Sequence, residues 1–173
     1  MRDDPTTPPL GEPGLLRAEQ DIQRKLGDSP LDFESMQAIA NIYRAAAGVR
    51  RVAERTVLAE QGLSWGGFTI LYVLWVWDEM ETSKLAAECD LAKGTLTGMV
   101  STLEKQDLVK RRRLDHDKRR VTVALTPAGT QVIEQIFPHF NDFEAKMTVG
   151  LTNREKAALS QLLRVVIGNA GEA

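Results

Sequence analysis

The chain lacks most of what enzymatic or metal chemistry needs. It has one cysteine, Cys89, and two histidines, His116 and His139, and the histidines stand far apart. No His or Cys pair sits at ligand spacing, so no metal site is expected. A lone cysteine cannot close an internal disulfide. There is no Gly-rich phosphate loop and no nucleophile–base pair, so neither a cofactor nor an enzymatic activity is expected. No apolar run approaches the roughly 18–20 residues of a membrane span. The N-terminus, MRDDPTTPPLGEP, carries no apolar core that could act as a secretory signal. A cytoplasmic protein with no membrane partner is the expectation.

What is present is a core and an uneven charge. Of 173 residues, 43% are hydrophobic, enough for one compact domain or two small lobes. The net charge is only −2, yet residues 105–120 hold eight Lys or Arg against three Asp, a local +5 that leaves −7 on the rest. A basic patch on an acidic body is the footprint of a protein that touches nucleic acid along one edge.

Residues 1–31 read as a flexible extension, Pro- and Gly-rich to Pro13, with a short helix over 14–26. Asp32 suits the N-cap of a long helix to about Ala59, with Phe33, Met36, Ile39, Ala40, Tyr43, Ala47, Val52, Ala53 and Val57 at three- and four-residue steps. Some 28 residues would span roughly 42 Å, more than one small lobe needs, so packing on a partner chain is expected. Ser64 caps the most apolar stretch, Trp65–Trp77. Its aromatic stripe is expected to be core.

Residues 84–126 organise the whole. Glu81-Thr82-Ser83 starts a short helix to Glu88, Asp90-Leu91-Ala92 forms a turn, and a second helix runs Lys93–Gln106 with Leu96, Met99, Val100 and Leu103 inward. The opposite face of this second helix carries Lys93, Thr95, Thr97, Gly98, Ser101 and Thr102. Such small hydroxylic residues let a helix approach phosphates and base edges, where a merely solvated face would carry long charged chains. Two strands follow, Leu108–Leu114 and Arg120–Leu125, around an Asp115-His116-Asp117-Lys118 turn. A basic hairpin at this place can straddle the duplex backbone and slip an arginine into the minor groove.

Thr126-Pro127 then opens a helix toward Val149, kinked at Pro138, and a Thr152–Glu155 capping box opens a last helix that Gly168 is expected to stop near Ile167. The organisation expected is mainly α with a small β-wing. A winged helix-turn-helix DNA-binding domain over 63–126 sits within a helical dimerisation lobe from 32–62 and 127–173.

From about Asp32 to Gly168, and most closely over 63–129, the chain resembles the MarR family of winged helix-turn-helix transcriptional regulators. The motifs that carry the resemblance are SKLAAECDLAKGTLTGMVSTLEKQDLVKRR and the wing DHDKRRVTVALTPAG. The wing ends in the family's Asp-x-Arg, here Asp117-Lys118-Arg119, then Leu125-Thr126-x-x-Gly129. The resemblance implies a homodimer that binds a palindromic operator on double-stranded DNA, acting as a repressor. It implies a recognition surface over Lys93–Ser101, Arg119 in the minor groove and Asp117 orienting it. Lys84, Arg111, Arg113, Lys118 and Arg120 join these as expected DNA contacts.

The resemblance also implies relief of binding by a small aromatic or phenolic effector. The residues proposed for it are Tyr43, Arg44, Trp65, Phe68 and Tyr72, where the long first helix, the Trp65–Trp77 helix and the kinked helix meet. A urate response is not expected: Phe68-Thr69 stands where the urate-responsive branch places an Asp, and residues 1–31 contain no tryptophan. Cys89 reads as buried and structural rather than redox-sensing. A winged-helix adaptor that binds protein and reads no DNA is the alternative.

Overall fold

The computed structural model describes residues 14–27, 29–114 and 117–171, with the backbone alone for Leu114 and for 117–119. The elements run α1 (Arg17–Leu26), α2 (Phe33–Arg55), a 3-10 turn (Ala59–Gln61), α3 (Trp65–Trp77), β1 (Met80–Glu81) and α4 (Thr82–Glu88). Then come α5 (Lys93–Lys105), β2 (Val109–Leu114), β3 (Asp117–Leu125), α6 (Pro127–Met147) and α7 (Asn153–Gly171).

The starts of α2, α3 and α7 fall where a side-chain oxygen can take up an otherwise unpaired N–H, whereas α4 and α5 start without such a cap. Asp32 Oδ1 accepts from the Ser35 N–H at 2.9 Å and Ser64 Oγ from that of Gly67 at 3.2 Å. Thr152 and Glu155 exchange bonds reciprocally, as a capping box requires.

Two helix ends differ from the sequence reading. The long helix α2 stops at Arg55, not Ala59. There the Thr56 hydroxyl donates back to the Val52 carbonyl, and the Leu58 N–H reaches the Ala53 carbonyl, one residue wider than helical pairing. The turn leaves Leu58 fully buried. The last helix α7 runs through Gly168 to Gly171, because a glycine weakens a helix by about 1 kcal/mol and does not by itself end one.

The chain divides into two compact units, Met1–Arg44 with Glu144–Ala173, and Ala45–Phe143, so the division falls inside α2 and α6. In the first unit, α1 is tied to α2 by Glu19. Its carboxylate accepts from the Leu16 N–H and from Asn41 Nδ2, at 2.6 and 2.7 Å, and both bonds hold it below the usual carboxylate range. Glu19 is the only buried residue among those described in this unit.

The second unit holds the core. α3 supplies Phe68, Ile70, Leu71, Val73 and Leu74, α4 and α5 add Leu85, Leu96, Val100 and Leu103, and α6 adds Ile133, Ile136, Phe140 and Phe143. Against it lies a three-stranded antiparallel sheet in the order β1-β3-β2. The strand β1 is a finding of the structure: Met80 pairs with Val123 and Glu81 with Thr122, where the sequence had read Glu81 as part of a helix start. The hairpin is also longer than expected. β3 begins at Asp117, opposite Leu114, because backbone pairing continues into a charged segment with no hydrophobic alternation to mark it.

A tight junction sets where the wing ends. Thr126 donates its N–H to the Leu108 carbonyl at 3.1 Å and its hydroxyl to that of Asp107 at 2.5 Å, while its oxygen caps α6 at the Gly129 N–H. A Cβ on Gly129 would run into the Leu108 carbonyl, so any side chain here forces the backbone to shift.

Candidate nucleic-acid interface

α4 and α5 are joined through Asp90, whose φ of 50° is left-handed, a conformation short Asp side chains tolerate. Leu85 and Ala86 of α4 and Leu96, Val100 and Leu103 of α5 go to the core. This leaves Lys84 on α4 and Lys93, Thr95, Thr97, Gly98 and Thr102 on α5 exposed, with Ser101 half-buried. The small residues thus lie on the outer face, as their pattern predicts. The Thr97, Ser101 and Thr102 hydroxyls donate to the carbonyls four residues earlier, Lys93, Thr97 and Gly98, at 2.8, 2.9 and 3.2 Å. With their protons used internally, these hydroxyls are left as acceptors, and Ser101 already accepts from Arg111.

The wing cations fall into two groups. Arg113 is exposed, and the side chains of Asp117, Lys118 and Arg119 lie outside the described residues, as do Asp115 and His116 altogether. The expected Asp117–Arg119 pairing falls there. Arg111, Arg112 and Arg120, by contrast, are each held by a carboxylate.

Arg112 forks onto Glu79, with Nε and Nη2 at 3.2 and 2.5 Å from its two oxygens, and the Thr122 hydroxyl donates to the same carboxylate. These bonds, from Thr122 first and Arg112 second, hold Glu79 below the usual carboxylate range. Arg120 forks onto Glu81 of β1. Arg111 reaches from β2 to α5, where Nη2 donates to the Thr97 carbonyl and to Ser101 Oγ at 3.0 and 2.6 Å, with Glu104 at 3.7 Å. Exposed pairs of this kind contribute only about 0–1 kcal/mol each, so their effect is geometric more than stabilising.

Glu79, Glu81 and Glu104 were missed in the sequence. For Glu79 and Glu81 the signal that could have found them is weak, since it depends on a two-residue strand, and for Glu104 it depends on how β2 packs on α5. Asp78 just before it adopts φ 60°, ψ −151°, a region that normally takes glycine. A recess of about 310 Å³ lies on this side of the unit, lined by Lys93 and Thr97 of α5, Glu81, Thr82, Ser83 and Arg120 among others. It brings together the starts of both motif helices and the wing.

The proposed effector residues are placed separately. Phe68 stacks on Phe140 at 4.3 Å, Trp65 lies against Phe140 at 5.9 Å and Tyr72 stacks on Phe137 at 5.7 Å, all within the core unit. Tyr43 and Arg44 belong to the other unit. Tyr43 is 72% exposed, and Arg44 donates to Asn41 at 2.9 Å and lines a cavity of about 70 Å³ with Glu19, Phe33 and Met36.

Cys89 is buried, and burial pushes its thiol up to about 11. Among the described residues no cluster of three or more His, Cys, Asp or Glu could hold a metal, and no helix is long and apolar enough to cross a membrane.

Two motif helices, a basic hairpin behind them and an outer face of small hydroxyl residues define a winged helix-turn-helix protein that binds DNA. The model of the MarR family matches residues 63–121. An HTH-type transcriptional regulator of Bacillus subtilis, YwaE, is 36% identical over 158 residues, covering 90% of this chain and 92% of that protein. The repressor YetL of the same organism is 30% identical over 120 residues, covering 68% of this chain and 71% of its own length.

Among solved structures, a mutant MarR from E. coli complexed with operator DNA aligns at TM-score 0.71 and 25% identity, covering 80% of this chain and 99% of that one. BpsR of Bordetella bronchiseptica, whose DNA binding is regulated by 6-hydroxynicotinic acid, shares the fold at TM-score 0.70 and 22% identity, over 75% of this chain and 98% of its own. The chain belongs to the MarR family: it is a DNA-binding transcriptional regulator and not an enzyme.

Proposed function

We propose that the protein is a cytoplasmic, homodimeric repressor that binds a palindromic operator and is released by a small aromatic or phenolic ligand. The observation that carries the dimer is α7. None of its residues is buried, and Leu159, Leu162, Val165 and Ile167 are exposed, Leu162 at 65% and Ile167 at 68%. Leu16, Met36, Ile39 and Tyr43 add further open apolar surface to the same unit. Apolar surface on this scale needs a cover, and a second copy supplies one related by a two-fold axis.

Two-fold symmetry would place two α5 helices in successive major grooves, with half-sites about 10 bp apart. Lys93, Thr95, Thr97, Gly98 and Ser101 then face base edges, Lys84 and Arg113 face phosphates, and Arg119 oriented by Asp117 enters the minor groove. The repressor sign is supported by the relationship to YetL, and an aromatic acid effector by the fold shared with BpsR. Within the core unit, Trp65, Phe68 and Tyr72 remain its proposed contacts. Such a ligand acts by binding better to a form whose helix spacing does not match DNA.

The test is binding of the full chain to duplexes selected from a random library, with and without aromatic acids. Selection of inverted repeats, and weakening by at least one such acid, is the expected result. Selection of non-repeated sites by a monomer would sink the dimer reading.

A further inference from the structure

Arg111 sits where a DNA-contacting arginine is expected, yet its guanidinium is already turned onto α5. Nη2 bridges the Thr97 carbonyl and Ser101 Oγ, at 3.0 and 2.6 Å. Glu104 lies 3.7 Å from Nη1 and also accepts the Arg111 backbone N–H at 3.3 Å. The side chain is 30% exposed, against 68% for the neighbouring Arg112.

These bonds join three things: strand β2 of the wing, the outer face of α5, and a carboxylate one turn further along α5. A guanidinium already neutralised by a carboxylate attracts phosphate weakly, and that carboxylate itself repels phosphate. The same contact fixes a hydroxyl. Ser101 donates its proton to the Thr97 carbonyl at 2.9 Å and accepts from Arg111, so one lone pair remains to it.

We propose that Arg111, braced by Glu104, is a positioning residue for sequence reading rather than a phosphate contact. It locks the α5 face to the wing and holds Ser101 as an acceptor-only group. An acceptor in the major groove meets the amino groups of adenine or cytosine and not the acceptor edge of guanine. A lysine cannot replace it, because a single ammonium lacks the planar fork that reaches both oxygens and the carboxylate. This rests on the α5 face reading bases, which is part of the function proposed above.

The experiment uses the full chain and one duplex taken from a random library selected on the parent protein, with a scrambled duplex as control. Affinities of parent, Arg111→Gln, Arg111→Lys and Ser101→Ala are measured across a salt series. Thermal melting of each variant separates misfolding from altered recognition. The expected result for Arg111→Gln is a loss of at least about tenfold in the selected-to-scrambled ratio, with the salt slope kept. Arg111→Lys should lose a similar factor despite its charge, and Ser101→Ala should lose part of it with no change in slope.

A phosphate contact predicts the reverse: a slope reduced by about 0.9 per protomer in Arg111→Gln, an unchanged ratio, and rescue by Arg111→Lys. That pattern would overturn the proposal. A Thr95→Val variant separates the two readings. If it leaves the ratio unchanged while Arg111→Gln keeps the salt slope, the base-reading face fails and not the absence of a phosphate contact.

Discussion

The two units of the chain use the same helical periodicity and satisfy it differently. From Ala45 to Phe143, helices and the two long strands give residues to one closed core, and Leu58, Ile70, Leu71, Leu85, Val123 and Ile133 are fully buried. In the other unit the described residues bury only Glu19, a carboxylate used to bond α1 to α2. The contrast is plain on two consecutive helices. The stripe of α6 is covered at Ile133, Ile136, Phe140 and Phe143, while α7 leaves Leu159, Leu162, Val165 and Ile167 open. An amphipathic helix is a demand for a neighbour, and in one unit this chain meets the demand alone.

The sharpest way to break this contrast is to charge the open face. Leu162→Asp with Ile167→Asp should raise the dimer dissociation constant more than about a hundredfold, since two carboxylates would be buried unpaired. Sedimentation velocity over a concentration series reads it, and a chain that sediments as the parent does would remove the second copy as the cover. Next in size, Leu71→Ala in the closed unit should cost about 2–5 kcal/mol in denaturant unfolding, the transfer term plus an unfilled cavity. Leu159→Ala on the open face, measured on the monomer, should cost a small fraction of that.

Gly129→Ala should cost about 1–3 kcal/mol, because its methyl meets the Leu108 carbonyl and the α6 entry must shift. Thr152→Ala removes the cap of α7 and should cost about 1 kcal/mol, seen as lower helicity and melting temperature. The smallest effect concerns Cys89. With its thiol raised from 9.0 to about 11, the folded protein at pH 8 should alkylate about a hundredfold more slowly than the unfolded chain. The unfolded thiol ionises first, so stability should fall as pH rises past 9.0. Fast labelling of the native protein would show Cys89 accessible and reactive.

Much of the site was legible because it rests on local rules. Ser64, Asp32 and the Thr152–Glu155 box announce their helices through side-chain oxygens that need no distant partner. The outer face of α5 follows from which residues are apolar, since burying Leu96, Val100 and Leu103 turns Thr95, Gly98 and Thr102 outward. The end of α2 was misread because the cause is the burial of Leu58, a tertiary demand. The strand β1 escaped because two residues carry no period, and their pairing with Val123 and Thr122 lies some forty residues away.

What the chain determines by itself, then, is where the capped helices begin, which faces are apolar, and that a basic hairpin follows a small-residue helix, all from neighbours within a turn or two. What only the tertiary structure decided is how its arginines are used. Arg111, Arg112 and Arg120 look alike beside Arg113 in sequence, but Glu104, Glu79 and Glu81 meet them from α5, the turn after α3, and β1. Charge is a property of a residue, whereas its pairing depends on which distant backbone the sheet brings within reach.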